Sequence, residues 1–188
     1  VASERPMVRK YIVDSLKYWM TEYHIDGFRF DLMGVLDLET MQTISDELHK
    51  LRPDVLLYGE GWTGGASTLP DDKRALKTNI SKLKGIGAFS DDIRDSVRGH
   101  VFYHLETGFI NGKEHYENDI RYSVTGATMH PQVDYGAYTY TTTGPWAANP
   151  AEVINYVSCH DNLTLWDKLL TTCPNATEKE LLAMNRLG

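Results

Sequence analysis

Three carboxylates stand where this chain's spacing could do chemistry. Asp31 closes Gly27-Phe28-Arg29-Phe30-Asp31, Glu60 sits in Leu57-Tyr58-Gly59-Glu60-Gly61-Trp62, and Asp161 in Val157-Ser158-Cys159-His160-Asp161-Asn162. Each follows an apolar, strand-like run and lies at its carboxyl end. Enzymes built on parallel α/β barrels place their reacting groups at that end. Carboxylates converging there are the equipment for breaking a glycosidic bond. A retaining enzyme needs a nucleophilic carboxylate and a protonated carboxylic acid ~5–5.5 Å apart, in environments that differ. Arg29 beside Asp31 suits the ionised role, and two glycines with Trp62 around Glu60 offer apolar walls that suit the acid. Asp161, with His160 beside it, suits the holding of sugar hydroxyls. Singly, each has a plainer reading: a structural Arg29–Asp31 pair, an exposed Glu60, a hydrogen-bonded His160–Asp161. The chemical reading rests on all three recurring at strand ends.

The elements that must position them follow from periodicity. Val8, Tyr11, Ile12, Leu16, Trp19 and Tyr23 recur at helical spacing over roughly 4–23, with Ser3 as a cap. Phe28 to Asp31 is a short strand whose period of two puts Arg29 and Asp31 on one face. Leu38, Met41, Ile44, Leu48 and Leu51 mark a second helix, stopped near Pro53. Val55 to Tyr58 is the next strand, residues 72–83 a helix, Ile86 to Phe89 a third strand, and Val153 to Val157 a fourth. Residues 99–150 are less regular and read as an elaborated connection. Thr177 with Glu180 forms a capping box for a final helix. Such alternation predicts a parallel α/β architecture. With four strands it is a partial (β/α)8 TIM barrel, and residues 1–188 form one partial catalytic barrel domain, because a closed barrel needs eight strands and typically ~250 residues.

Composition narrows the partners. The 188 residues carry 41% hydrophobic and 24% charged side chains and a formal net charge of −7. That balance argues against nucleic acid and leaves a neutral polymer such as a carbohydrate unrepelled. No apolar run approaches the ~20 residues of a membrane helix. The first residues lack a signal-peptide core and an initiator Met, so the chain is expected to begin inside a longer protein. Cys159 and Cys173 make no disulfide framework, and Cys159 reads as a small buried hydrophobe.

The weaker signals are read against chemistry. His100 and His104 are four apart without a third ligand, so no metal site is assigned. The Asp91-Asp92 pair reads as solvated or salt-bridged rather than as a calcium loop. Asn79, Asn162 and Asn175 fit the N-x-Ser/Thr pattern, which occurs often by chance. Tyr135, Tyr138, Tyr140 and Trp146 are the right residue types to stack on sugars, or to anchor a loop by packing.

Gly27-Phe28-Arg29-Phe30-Asp31 resembles the strand-four motif of the α-amylase superfamily. Tyr58-Gly59-Glu60-Gly61-Trp62 resembles its strand-five motif in the form used by type I pullulanases, and Val157-Ser158-Cys159-His160-Asp161-Asn162 its strand-seven motif. The likeness extends through Phe89-Ser90-Asp91-Asp92-Ile93-Arg94-Asp95 and across essentially the whole chain. It implies a segment spanning strands four to seven, and a retaining double displacement on α-1,6 branch linkages of pullulan, starch or glycogen. Asp31 would be the nucleophile, Glu60 the general acid and later base, and Asp161 the transition-state stabiliser. Arg29 would orient Asp31, His160 would bind the sugar next to the cleaved bond, and Trp62 would form a stacking wall. No cofactor is implied. The strand-three motif and the Tyr-Asn-Trp-Gly-Tyr signature of type I pullulanases do not occur in the chain. The expectation is therefore an internal piece of a larger enzyme, whose remainder is its partner. Alone it would be inactive and prone to self-association through exposed strand edges. Isoamylases, neopullulanases and branching enzymes are the competing enzymes, and a non-catalytic α-glucan-binding module or an inert scaffold fragment the competing classes.

Overall fold

The computed structural model of the protein describes residues 1–137 and 144–188. Tyr138 and Tyr140 lie outside the described residues. The chain forms two compact units, Val1–Phe89 with Trp146–Ile154, and Ser90–Pro145 with Asn155–Gly188.

The first unit is α/β. Helix α1 (Pro6–Tyr23) leads to strand β1 (Gly27–Phe30), helix α2 (Leu38–Leu51), strand β2 (Leu56–Gly59), strand β3 (Gly87–Phe89) and strand β4 (Val153–Ile154). The four strands form one parallel sheet in the order β1-β2-β3-β4. Helix α2 forms where the apolar period predicts it, and Met41, Ile44 and Leu48 are fully buried. Each such side chain contributes roughly 1.5–3 kcal/mol. Asp37 caps α2, accepting from the Thr40 N–H at 2.8 Å.

Three expectations shift. Ser3 does not cap α1, which begins with Pro6 in its first turn and has no side-chain cap. Instead the buried Ser3 hydroxyl donates to Asp37 Oδ2 at 2.6 Å and accepts from the Asp37 N–H at 2.9 Å. Residues 72–83 form two short 3₁₀ segments, Asp71–Lys73 and Lys77–Lys82, rather than an α-helix. Asn79 Nδ2 donates there to the carbonyls of Asp71 and Arg74, so side chains take carbonyls that a continuous helix would use. The fourth strand stops at Ile154, short of the expected Val157.

The second unit is helical, with α3 (Asp91–Arg98), α4 (Glu117–Val124), α5 (Leu165–Thr172) and α6 (Glu178–Leu187). Its apolar core is Leu165, Leu169 and Leu181, with Trp166, Val157 and Met184 packed against them. The expected capping box opens α6, where the Thr177 N–H donates to Glu180 Oε2 at 2.8 Å. The Asp91-Asp92 pair lies in the first turn of α3, at the positive end of the helix dipole, and Asp92 is fully buried rather than solvated.

Candidate active site

The strand ends of the first unit bring three of the six expected site residues together. Asp31 directly follows β1 and Glu60 directly follows β2, as their runs predict. The register pairs Arg29 with Tyr58, so strand alternation puts Arg29, Asp31, Tyr58 and Glu60 on one face. Arg29 bridges the two carboxylates. Its Nη1 donates to Asp31 Oδ1 at 2.6 Å and its Nη2 to Glu60 Oε1 at 2.5 Å. One planar fork thus holds both acids.

The two carboxylates differ sharply in exposure. The Asp31 side chain is 73% exposed and that of Glu60 only 6%. Two hydrogen-bond donors occupy the oxygens of the buried Glu60: Arg29 on Oε1, and on Oε2 the Leu32 N–H at 2.7 Å. Leu32 adopts a left-handed conformation, φ 42°, which an L side chain rarely takes and which turns its N–H toward Glu60.

The following loop closes against this arrangement. The Gly34 N–H donates to the carbonyls of both Glu60 (3.2 Å) and Trp62 (3.1 Å). A side chain at Gly34 would meet the Trp62 carbonyl at 2.5 Å, so only glycine admits so close an approach. Trp62 is half-buried. Phe89, at the end of β3, packs edge-on to Tyr58 with ring centroids 5.4 Å apart and lies under Arg29 at 5.9 Å. Tyr58, Phe89 and the Leu32 N–H are parts of the site that sequence reasoning missed. Tyr58 is two residues before Glu60, so its place on the same face was open to the strand period.

Asp161 and His160 belong to the second unit, and Asp161 is seven residues beyond the end of β4 rather than at it. Both side chains are exposed, 59% and 71%, and His160 Nε2 lies 3.7 Å from Asp161 Oδ1. Cys159 is partly exposed rather than buried, with its Sγ 3.7 Å from the Asp161 carbonyl. The segment is bracketed by α3. Arg94 is held bidentately by Asp95 and donates to the Tyr156 hydroxyl at 2.8 Å. Burial pushes that hydroxyl up to about 12, against the pull of Arg94. Arg98 donates to the Leu163 carbonyl at 2.5 Å, and burial and then the charge of Arg94 push its guanidinium below the usual range.

Among the described residues, the aromatic candidates Trp146 and Tyr135 are held by the protein itself. Trp146 is 4% exposed. The Tyr135 hydroxyl accepts from the His130 N–H at 2.6 Å and donates to the Thr128 carbonyl at 2.8 Å, as a loop anchor does. Among the described residues no group of three or more His, Cys, Asp or Glu could hold a metal ion, and no helix is long and apolar enough to cross a membrane.

No family model matches the chain. A pullulanase of Bacillus subtilis strain 168 is 36% identical over all 188 residues, which are 25% of that protein. The crystal structure of the type I pullulanase of that strain, complexed with maltose, superposes at a TM-score of 0.90 over 99% of this chain and 25% of its own. A Paenibacillus barengoltzii pullulanase, in complex with maltohexaose and α-cyclodextrin, is 45% identical at a TM-score of 0.88, over 99% of this chain and 27% of its own. The chain therefore spans a quarter or less of the length of the curated relatives it matches.

Proposed function

Since the chain belongs to the pullulanase family, we propose that it carries the reacting groups of a retaining glycoside hydrolase that cleaves α-1,6 branch linkages in α-glucans. The observation that carries this reading is the single Arg29 fork holding Asp31 and Glu60 at the carboxyl ends of adjacent parallel strands. The sheet and its helices are then the strand-four to strand-seven part of a (β/α)8 barrel, and residues 1–188 one part of its catalytic domain.

In the proposed double displacement, an Asp31 carboxylate oxygen attacks the anomeric carbon while the bond to the leaving oxygen breaks. Glu60, protonated for this step, gives its proton to that oxygen. Glu60 then takes a proton from water, whose oxygen displaces Asp31 and restores both carboxyl groups. Arg29 orients Asp31 and keeps it within reach of Glu60. Asp161 stabilises the charged transition state, His160 binds the adjoining sugar, and Trp62 stacks on the leaving-group side. Each of these last roles rests on the motif resemblance. On its own the 188-residue chain turns over little substrate. Its nucleophile is 73% exposed, and a charged transition state gains most from surroundings that exclude water.

The test is release of reducing ends from pullulan by the full-length protein and by the 188-residue chain. Asp31→Asn in the full-length protein is expected to lose on the order of 10⁴-fold in kcat, with linear amylose a poor substrate throughout. Full activity of Asp31→Asn sinks the assignment of the nucleophile. Equal rates on amylose and pullulan sink the branch-linkage specificity. Titration of Glu60→Gln with maltotriose separates catalysis from mere binding, because the isosteric change should retain the sugar and lose turnover.

A further inference from the structure

Arg98 ends α3 with 1% of its surface exposed. A guanidinium keeps its charge at any ordinary pH, so burying one is costly unless its donors are well used. Arg98 spends Nη1 outside its own helix, on the Leu163 carbonyl at 2.5 Å. One turn earlier, Arg94 is fixed by Asp95 at 2.6 and 3.0 Å and holds the Tyr156 hydroxyl at 2.8 Å, its guanidinium 5.7 Å from the ring centre. Helix α3 therefore grips the chain at residues 156 and 163. The span between them carries His160 and Asp161.

Within that span the backbone is further constrained. The Leu165 N–H donates to Ser158 Oγ at 3.0 Å, and Asn162 is left-handed at φ 61°. The His160 and Asp161 side chains, by contrast, project into solvent. A held backbone with presented side chains is what a group needs if it must meet a ligand in one geometry.

We propose that Arg98, seconded by Arg94 through Tyr156, is a positioning residue for the His160–Asp161 turn. Its bond to Leu163 fixes where the Asp161 carboxylate stands, without touching substrate. The inference rests on the reading of Asp161 as the carboxylate that stabilises the transition state.

The test uses the full-length protein with Arg98→Lys, Tyr156→Phe and Asp161→Asn, and Arg98→Lys combined with Asp161→Asn. Lysine keeps the cation but not the planar fork. Hydrogen exchange over 157–164 is expected to quicken by about 10-fold or more in Arg98→Lys, while α5 stays protected. Turnover on pullulan should fall ~10–100-fold with KM changed by less than about 3-fold, the signature of a displaced group rather than a lost binding surface. Combined with Asp161→Asn, Arg98→Lys should cost no further turnover. Tyr156→Phe should move the same quantities the same way by about 3–10-fold, and carries the test if Arg98→Lys does not fold. Unchanged exchange over 157–164, a uniform rise across the second unit, or additive losses in the double variant would overturn the positioning role. Full turnover by Asp161→Asn alone would instead overturn the role read for Asp161, and with it any catalytic purpose for the anchor.

Discussion

Arg29 divides its two terminal nitrogens between an exposed Asp31 and a buried Glu60, so its substitutions separate stability from chemistry. Arg29→Met leaves the Glu60 carboxylate buried with the Leu32 N–H but no cation. Loss of one partner from a buried pair is expected to cost about 3 kcal/mol in urea unfolding. Arg29→Lys keeps a positive charge but cannot present two donors in one plane. It should retain most of that stability while lowering turnover of the full-length protein about 10²-fold, because neither carboxylate is then held in place. Equal damage to stability and turnover in both variants would argue that Arg29 is only a structural cation. The places of Asp31 and Glu60 directly after β1 and β2 were legible from the apolar runs before them, whereas that of Asp161, seven residues beyond β4, was not. The Arg29–Glu60 bond and the Leu32 N–H were not legible either, because both depend on the β1–β2 register and on one left-handed backbone.

At the level of elements, the start of α2 concentrates polar contacts. Asp37 caps the helix, Ser3 reaches it from the chain start, and Arg9 of α1 lies 3.4 Å away. Burial alone would raise the Asp37 carboxyl. Hydrogen bonds from Ser3 and Thr40 and the charge of Arg9 outweigh it and hold it below the usual carboxylate range. A carboxylate depressed in the folded state contributes stability that is present above its unfolded pKa, near 4, and is lost as pH falls through the lower folded value. Asp37→Asn can still cap a helix, so wild type should lead it at pH 7 and converge on it below about pH 4 in thermal unfolding. Ser3→Ala should cost about 2 kcal/mol, because it strips a donor from a buried carboxylate and an acceptor from a buried N–H.

The same scale shows what periodicity could reveal. Helix α2 was legible because its buried face is aliphatic, and α6 because Thr177 and Glu180 cap it reciprocally. Helix α1 was legible as a helix but not by its inward face. Val13 and Met20 are buried, whereas Tyr11, Trp19 and Tyr23 of the expected stripe are exposed. Helix α3 went unread because its buried residues include Asp92, Arg94, Asp95 and Arg98, and a hydropathy pattern registers no core in charged side chains.

For the molecule as a whole, the exposed aromatic residues of α1 matter most. Tyr18, Trp19 and Tyr23 form one ring cluster with centroids 4.5–6.0 Å apart, and Met7 and Tyr11 are also exposed. Apolar surface gathered in this way promotes association. The 188-residue chain should show a sedimentation mass that rises with concentration, and Trp19→Ser should reduce the rise. A concentration-independent monomer mass would defeat the expectation. The route of the chain has a separate consequence for biogenesis. Strand β4, only two residues long, pairs with β3 after the intervening residues 90–152 have been made. At ~5–20 residues per second, a ribosome leaves β3 without that neighbour for seconds. An unpaired strand edge open for that long is a template for mispairing with another nascent copy, so yield in the cell should depend on how fast residues 90–154 are translated and on chaperones that shield β3 meanwhile.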